Sequence, residues 1–152
     1  MNFTVRIATK EDHPILLDFE QGIVEAERPF DETLKEGVIH YYNLIEYINS
    51  NLAEVFVAEH EGEIIASGFV RIEDEEEFRK HDRIAYLGFM YVKERYRGKA
   101  VNKKILDALL DWSKSKGIHE VLLEVYDGNE AAIRAYEKAG FKKRLIEMRR
   151  RI

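Results

Sequence analysis

The sequence predicts an α/β (α+β) fold, and three observations carry that expectation. Some apolar segments repeat every two residues, others alternate with them at a period near 3.6, and caps or glycines mark the junctions. The 152 residues are 45% hydrophobic and 35% charged with only two prolines, which suits one folded domain over residues 1–152.

Phe3 to Ala8 sets Phe3, Val5 and Ile7 against Thr4 and Arg6, the alternation of a half-buried strand. Thr9 and Asp12 are caps for a helix from about Glu11. It tolerates Pro14 in its first turn, carries Ile15, Leu16, Phe19 and Ile23 on one face, and ends before Pro29. Asp31 is the candidate cap of a second helix with the stripe Leu34, Val38, Tyr41, Ile45 and Ile48. Two strands follow, Glu54 to His60 and Glu63 to Ile72, joined through the turn pair Glu61 and Gly62. Glu73 to Glu77 reads as a solvated hairpin tip, and Arg83 to Val92 as the next strand.

From Ala100, the residues Val101, Ile105, Ala108, Leu109 and Trp112 recur at helical spacing until Gly117, with Lys114 and Lys116 suited to the negative end of the dipole. His119 to Tyr126 reads as a buried strand. Asn129 caps a last helix that stops at Gly140, whose freedom to turn left-handed lets Phe141 fold back toward Tyr136. Arg144 to Arg150 reads as an edge strand guarded by outward arginines.

The chain has no cysteine, which removes disulfides, thiolate nucleophiles and sulfur-bound zinc. The five histidines are scattered without ligand spacing, so no metal is expected. A net charge of -5 disfavours nucleic acid and mildly favours a cationic partner such as an amine. Met1 to Val5 carries no basic, apolar leader, and no run reaches the roughly 18 apolar residues of a membrane span, so a cytoplasmic protein away from membranes is expected.

The chemistry concentrates between Arg95 and Ala100. A loop that leads from a strand into a helix exposes that helix's unpaired N–H groups at the positive end of its dipole, where phosphate binds. Gly98 lets the backbone approach an anion, Ala100 does not obstruct it, and Arg95, Arg97 and Lys99 add positive charge. The loop lacks the G-x-x-x-x-G-K-[ST] of nucleotide triphosphatases and the G-x-G-x-x-G of dinucleotide folds.

Some thirty residues on lies Asn129 to Phe141, with the pattern N-x-x-A-x-x-x-Y-x-x-x-G-F. With the strand Leu87 to Val92 and the loop, it resembles the GNAT-type N-acetyltransferases, and the order of the earlier elements extends the resemblance over nearly the whole chain. The resemblance implies a mixed, mostly antiparallel sheet splayed open between strands four and five and flanked by about four helices, with acetyl-CoA as cosubstrate in the gap. It implies that the backbone of Met90, Tyr91 and Val92 holds the pantetheine arm, and that Arg97, Gly98, Lys99, Ala100, Val101 and Asn102 hold the diphosphate. Asn129 would touch the arm from the other side.

The implied reaction is direct attack of a neutral primary amine, from a small molecule or a protein, on the acetyl thioester. A backbone N–H near Tyr91 stabilises the oxyanion and Tyr136 protonates the departing thiolate. Many family members carry a carboxylate on strand four where this chain has Gly88, so the base stays unassigned, with Glu20, Glu124 or a water relay open. Two other readings remain beside catalysis: a non-catalytic acyl-CoA-binding module and an interaction domain with a basic docking loop. A homodimer through the C-terminal strand is a further expectation.

Overall fold

The structure, a computed structural model, describes all of residues 1–152. Five strands form one sheet in the order β1 (Thr4–Ile7), β2 (Ala53–His60), β3 (Glu63–Asp74), β4 (Arg83–Val92) and β5 (Val121–Leu123). The first four pair antiparallel, while β4 and β5 run parallel. The helices are α1 (His13–Glu27), α2 (Leu44–Asn49), α3 (Val101–Ser115) and α4 (Glu130–Lys138). The expected mixed sheet with four helices is the one observed, and no helix is long and apolar enough to cross a membrane.

Two cores sandwich the sheet. On one face Ala66, Val70, Ala85 and Leu87 meet Val101, Ile105, Leu106 and Leu109, the apolar stripe of α3. On the other, Val55, Val57, Phe69 and Phe89 meet Leu16, Phe19 and Ile23 of α1 and Leu44 of α2. Period two in the strands sends alternate residues to opposite helix layers, and each large side chain so buried contributes about 1.5–3 kcal/mol. At the start of α1, Thr9 N–H donates to Asp12 at 2.8 Å, and Asp12 is clamped by Arg6 at 2.8 Å, which holds its carboxyl below the usual range. The first turn from Lys10 to Asp12 is a 3₁₀ turn, so the α-helix proper begins at His13.

Three expectations fail. The helix proposed from Asp31 is absent, and only Leu44–Asn49 is helical, capped by Asn43. The stretch before it gives its backbone groups to side chains of α1. The fully buried Glu20 accepts from Tyr41 N–H at 3.0 Å and Tyr42 N–H at 3.1 Å, Gln21 donates to the Ile39 carbonyl at 2.7 Å, and Arg28 donates to the carbonyls of Lys35 and Gly37. With those groups satisfied from outside, the helical ladder has no advantage despite the periodic stripe. The strand expected over His119 to Tyr126 shrinks to Val121–Leu123, only half-buried, because it departs from β4. Arg144 to Arg150 forms no strand: no backbone hydrogen bond extends past Phe141, and Leu145, Ile146 and Met148 are exposed. The adjacent apolar pair Leu145 and Ile146, set among Arg144, Glu147, Arg149 and Arg150, cannot present one apolar face to a sheet.

Candidate active site

The parallel ladder between β4 and β5 stops at Leu87 opposite Leu123, yet β4 continues to Val92. Beyond Leu87, β4 has a neighbour only on its β3 side, and a cleft opens on the other. Within it β4 is bulged, since Ser67 and Phe69 of β3 pair with Tyr91 and Gly88, leaving one extra residue on β4. Phe89 sits at φ +58, a left-handed conformation that costs a non-glycine residue about 1–2 kcal/mol. It is held there by burial of its ring against Tyr42 and by Ser67 Oγ, which donates to its carbonyl at 3.1 Å. The bulge re-aims the strand, so that Met90 packs toward Gly68 and α3 while Tyr91 stacks on Phe19 of α1, ring centres 4.6 Å apart.

From Val92 the chain turns through Glu94–Tyr96 into the loop. Gly98 at φ +74 and Ala100 at φ +62 both adopt left-handed backbone, so the chain reverses sharply into α3. Ala100 is the helix cap and supplies no side-chain acceptor, which leaves the first N–H groups of α3 without a side-chain partner. Arg97 Nε donates to the Val92 carbonyl at 2.9 Å and ties the loop to the end of β4. Lys99 lies over the Tyr96 ring. Arg95, counted from sequence among the charges of this turn, instead pairs with Glu63, as do Lys93 at 2.7 Å and the Tyr96 hydroxyl at 2.8 Å. Lys93 and Tyr96 chiefly hold the Glu63 carboxyl down at about 2, and the cluster braces the loop instead of charging it.

Across the cleft, Asn129 Oδ1 caps α4 by accepting from Ala132 N–H at 3.3 Å, which leaves its amide N–H groups unused. The helix ends as its sequence requires. Gly140 is left-handed at φ +98, its N–H reaches Glu137, and Phe141 N–H reaches the Tyr136 carbonyl, seating the Phe141 ring 5.9 Å from that of Tyr136. Tyr136 packs on the α3 side of the sheet with Met90 and Val92. Burial pushes its phenol above the ordinary range, and its hydroxyl has no protein partner.

Gly88 now has a physical reason. A Cβ there would lie 2.7 Å from Phe69 Cζ, so a carboxylate-bearing side chain is excluded unless Phe69 moves. Glu20 has both oxygens engaged, one by the two amides and the other by His40 Nδ1 at 2.8 Å. Glu124, one residue past the last ladder pair, is on the face of Tyr86 and Gly88. It adds to burial in pushing the Tyr86 hydroxyl up to about 12. Reading by sequence missed the bulge at Phe89, which has no local signature, and the place of Glu124, which only the register reveals.

Residues 20–141 match the model of the acetyltransferase (GNAT) family. Over 124 residues, 82% of this chain and 73% of its relative, the chain is 31% identical to a glucosamine 6-phosphate N-acetyltransferase of Arabidopsis thaliana. A Bacillus halodurans protein solved as a tetramutant superposes with a TM-score of 0.86 at 20% identity, covering 98% of this chain and 99% of that one. A predicted acetyltransferase of Clostridium acetobutylicum, solved with acetyl-CoA, superposes with a TM-score of 0.73 at 21% identity, covering 97% and 96%.

Proposed function

The chain belongs to the acetyltransferase (GNAT) family and is an acetyl-CoA-dependent N-acetyltransferase; from that premise we propose how its residues divide the work. The backbone of Met90, Tyr91 and Val92 receives the pantetheine arm along the open edge of β4. The amides of Gly98, Lys99, Ala100, Val101 and Asn102 receive the diphosphate, whereas the Arg97 amide, expected among them, already donates to the Glu94 carbonyl at 3.1 Å; Asn129 reaches the arm from the far wall. The observation that carries this reading is the open edge of β4, which leads directly into an uncapped helix start.

The acceptor enters from the α1 side as a neutral amine. Its lone pair attacks the thioester carbonyl, and the oxygen takes up negative charge beside the N–H groups of the bulge near Tyr91. Collapse breaks the C–S bond. Tyr136, kept protonated by burial, donates its proton to the leaving sulfur. The nitrogen releases its extra proton to Glu124, which follows the last ladder pair on the sheet face of Tyr86 and Gly88, the strand position at which related chains carry a carboxylate being Gly88 here. Tyr86 positions that carboxylate. No covalent enzyme intermediate is needed.

The test is acetyl-CoA turnover over a panel of amines, read by free thiol, with Glu124→Gln beside the wild type. Glu124→Gln lowers kcat by roughly 10²-fold; an unchanged kcat removes Glu124 from the mechanism. A chain that is stabilised by coenzyme A, by about 2.7 kcal/mol at 100 times its dissociation constant, but releases no thiol with any amine is a binding module.

A further inference from the structure

Arg71 of β3 has no part in the chemistry above, yet it lies on the same sheet face, directly opposite Tyr86 in the ladder. Its guanidinium sits 4.4 Å from the centre of the Tyr86 ring, 5.6 Å from that of Phe69 and 6.0 Å from that of Tyr47. Nε donates to Glu73 at 2.5 Å and Nη1 to the Tyr47 hydroxyl at 2.9 Å. Nη2 has no protein partner, and no unpartnered side-chain nitrogen in the molecule is buried, so that edge of the fork opens outward. The side chain is 31% exposed. Three rings and two hydrogen bonds therefore fix a planar cation with one free edge, the arrangement that receives a carboxylate or phosphate. A guanidinium serving only to pair with Glu73 does not need its orientation fixed by three aromatic rings.

We propose that Arg71 binds an anionic oxygen group on the acceptor, so that the preferred substrate is an amine carrying a carboxylate or phosphate at its other end. The inference rests on the acetyl-transfer reading, because the amine is placed by the bulge and Glu124. Arg71 faces Tyr86, and Gly88 lies two residues, about 7 Å of backbone, further along the strand, so an acceptor a few carbons long reaches from one position to the other. Glu124 at one end and Arg71 at the other match a zwitterion. A polycation meets Arg71 unfavourably.

The test compares 5-aminovalerate and 4-aminobutylphosphonate, each against the plain alkylamine of equal length, with spermidine as the cationic arm. The wild type favours at least one anionic member in kcat/KM by roughly 30-fold, and the carboxylate and phosphonate arms show which oxygen group is taken. Arg71→Gln removes the preference through KM, with kcat and the plain alkylamines little changed, and Arg71→Lys restores only part of it. A thermal shift with coenzyme A verifies that both variants are folded. Calorimetric binding of the same amines to protein saturated with coenzyme A reads the anion preference without turnover, so absent catalysis counts against the acetyl-transfer roles alone. Equal affinity within each pair, a preference for spermidine, or a preference that survives Arg71→Gln overturns the proposal.

Discussion

On the side of the cleft toward α3 and α4, the groups we assign to the coenzyme are mostly backbone: the bulged edge of β4, the left-handed loop and the first turn of α3. On the side toward α1 and α2, the groups are side chains: Arg71, Tyr86 and Glu124, with Tyr47 holding Arg71 and the buried Glu20 fixing the backbone of Tyr41 and Tyr42 behind them. Backbone amides fit one fixed ligand and need only a few small residues to expose them. A side-chain wall can be rewritten one residue at a time, which suits acceptors that differ between members of a family. The difference also predicts separability, with damage to the acceptor wall leaving coenzyme binding intact.

The most severe break in that separability test is Glu20→Ala. It strands two amides at about 1–3 kcal/mol each, so denaturant unfolding should show a loss of about 4 kcal/mol and hydrogen exchange should show residues 37–43 opening first. Coenzyme A affinity, measured on the folded fraction, should hold; a parallel loss shows that the two walls are one cooperative unit. Tyr136→Phe acts on the other wall, lowering kcat at saturating substrate by roughly 10²-fold with little change in melting temperature, since the hydroxyl has no protein partner. The phenol must be protonated to donate, and burial raises its pKa. The alkaline fall in kcat therefore lies above the ordinary tyrosine value of about 10 and vanishes in the variant.

Gly88→Ala tests the junction of the walls. The added Cβ meets the Phe69 ring at 2.7 Å and overpacks the site by about 1–3 kcal/mol, a loss that Phe69→Leu in the same chain should partly reverse. If the double variant is no more stable than the sum of the single ones, the crowding argument fails. Smallest is Gly98→Ala. No atom lies within 4 Å of the added Cβ, so only left-handed strain of about 1 kcal/mol remains, and coenzyme A binding should weaken about fivefold with acceptor KM unchanged.

The elements of the wall proposed for the coenzyme are legible in the sequence because their signals are local. Gly98 before a helix start, Asn129 as a cap and Gly140 followed by Phe141 each act within a few residues, and all three fall where expected. The acceptor wall was misread for the opposite reason. Leu34, Val38, Tyr41, Ile45 and Ile48 keep helical spacing, but Glu20, Gln21 and Arg28 claim the backbone between residues 35 and 42 from across the structure. Arg95 reads from the sequence as one of the charges around the loop, whereas Glu63, distant in sequence, engages it.

By itself the sequence determined the periods of the strands and helices, the turn chemistry at their ends and the family pattern that points to acetyl-CoA, because each of these depends on neighbours along the chain. Only the tertiary structure decided that β4 bulges at Phe89, that Phe69 fills the space beside Gly88, that Glu124 falls one residue past the β5 ladder and acts on Tyr86, and that Arg71 lies fixed among three rings. Those are matters of register and packing between segments distant in sequence, where a one-residue shift exchanges the two faces of a strand.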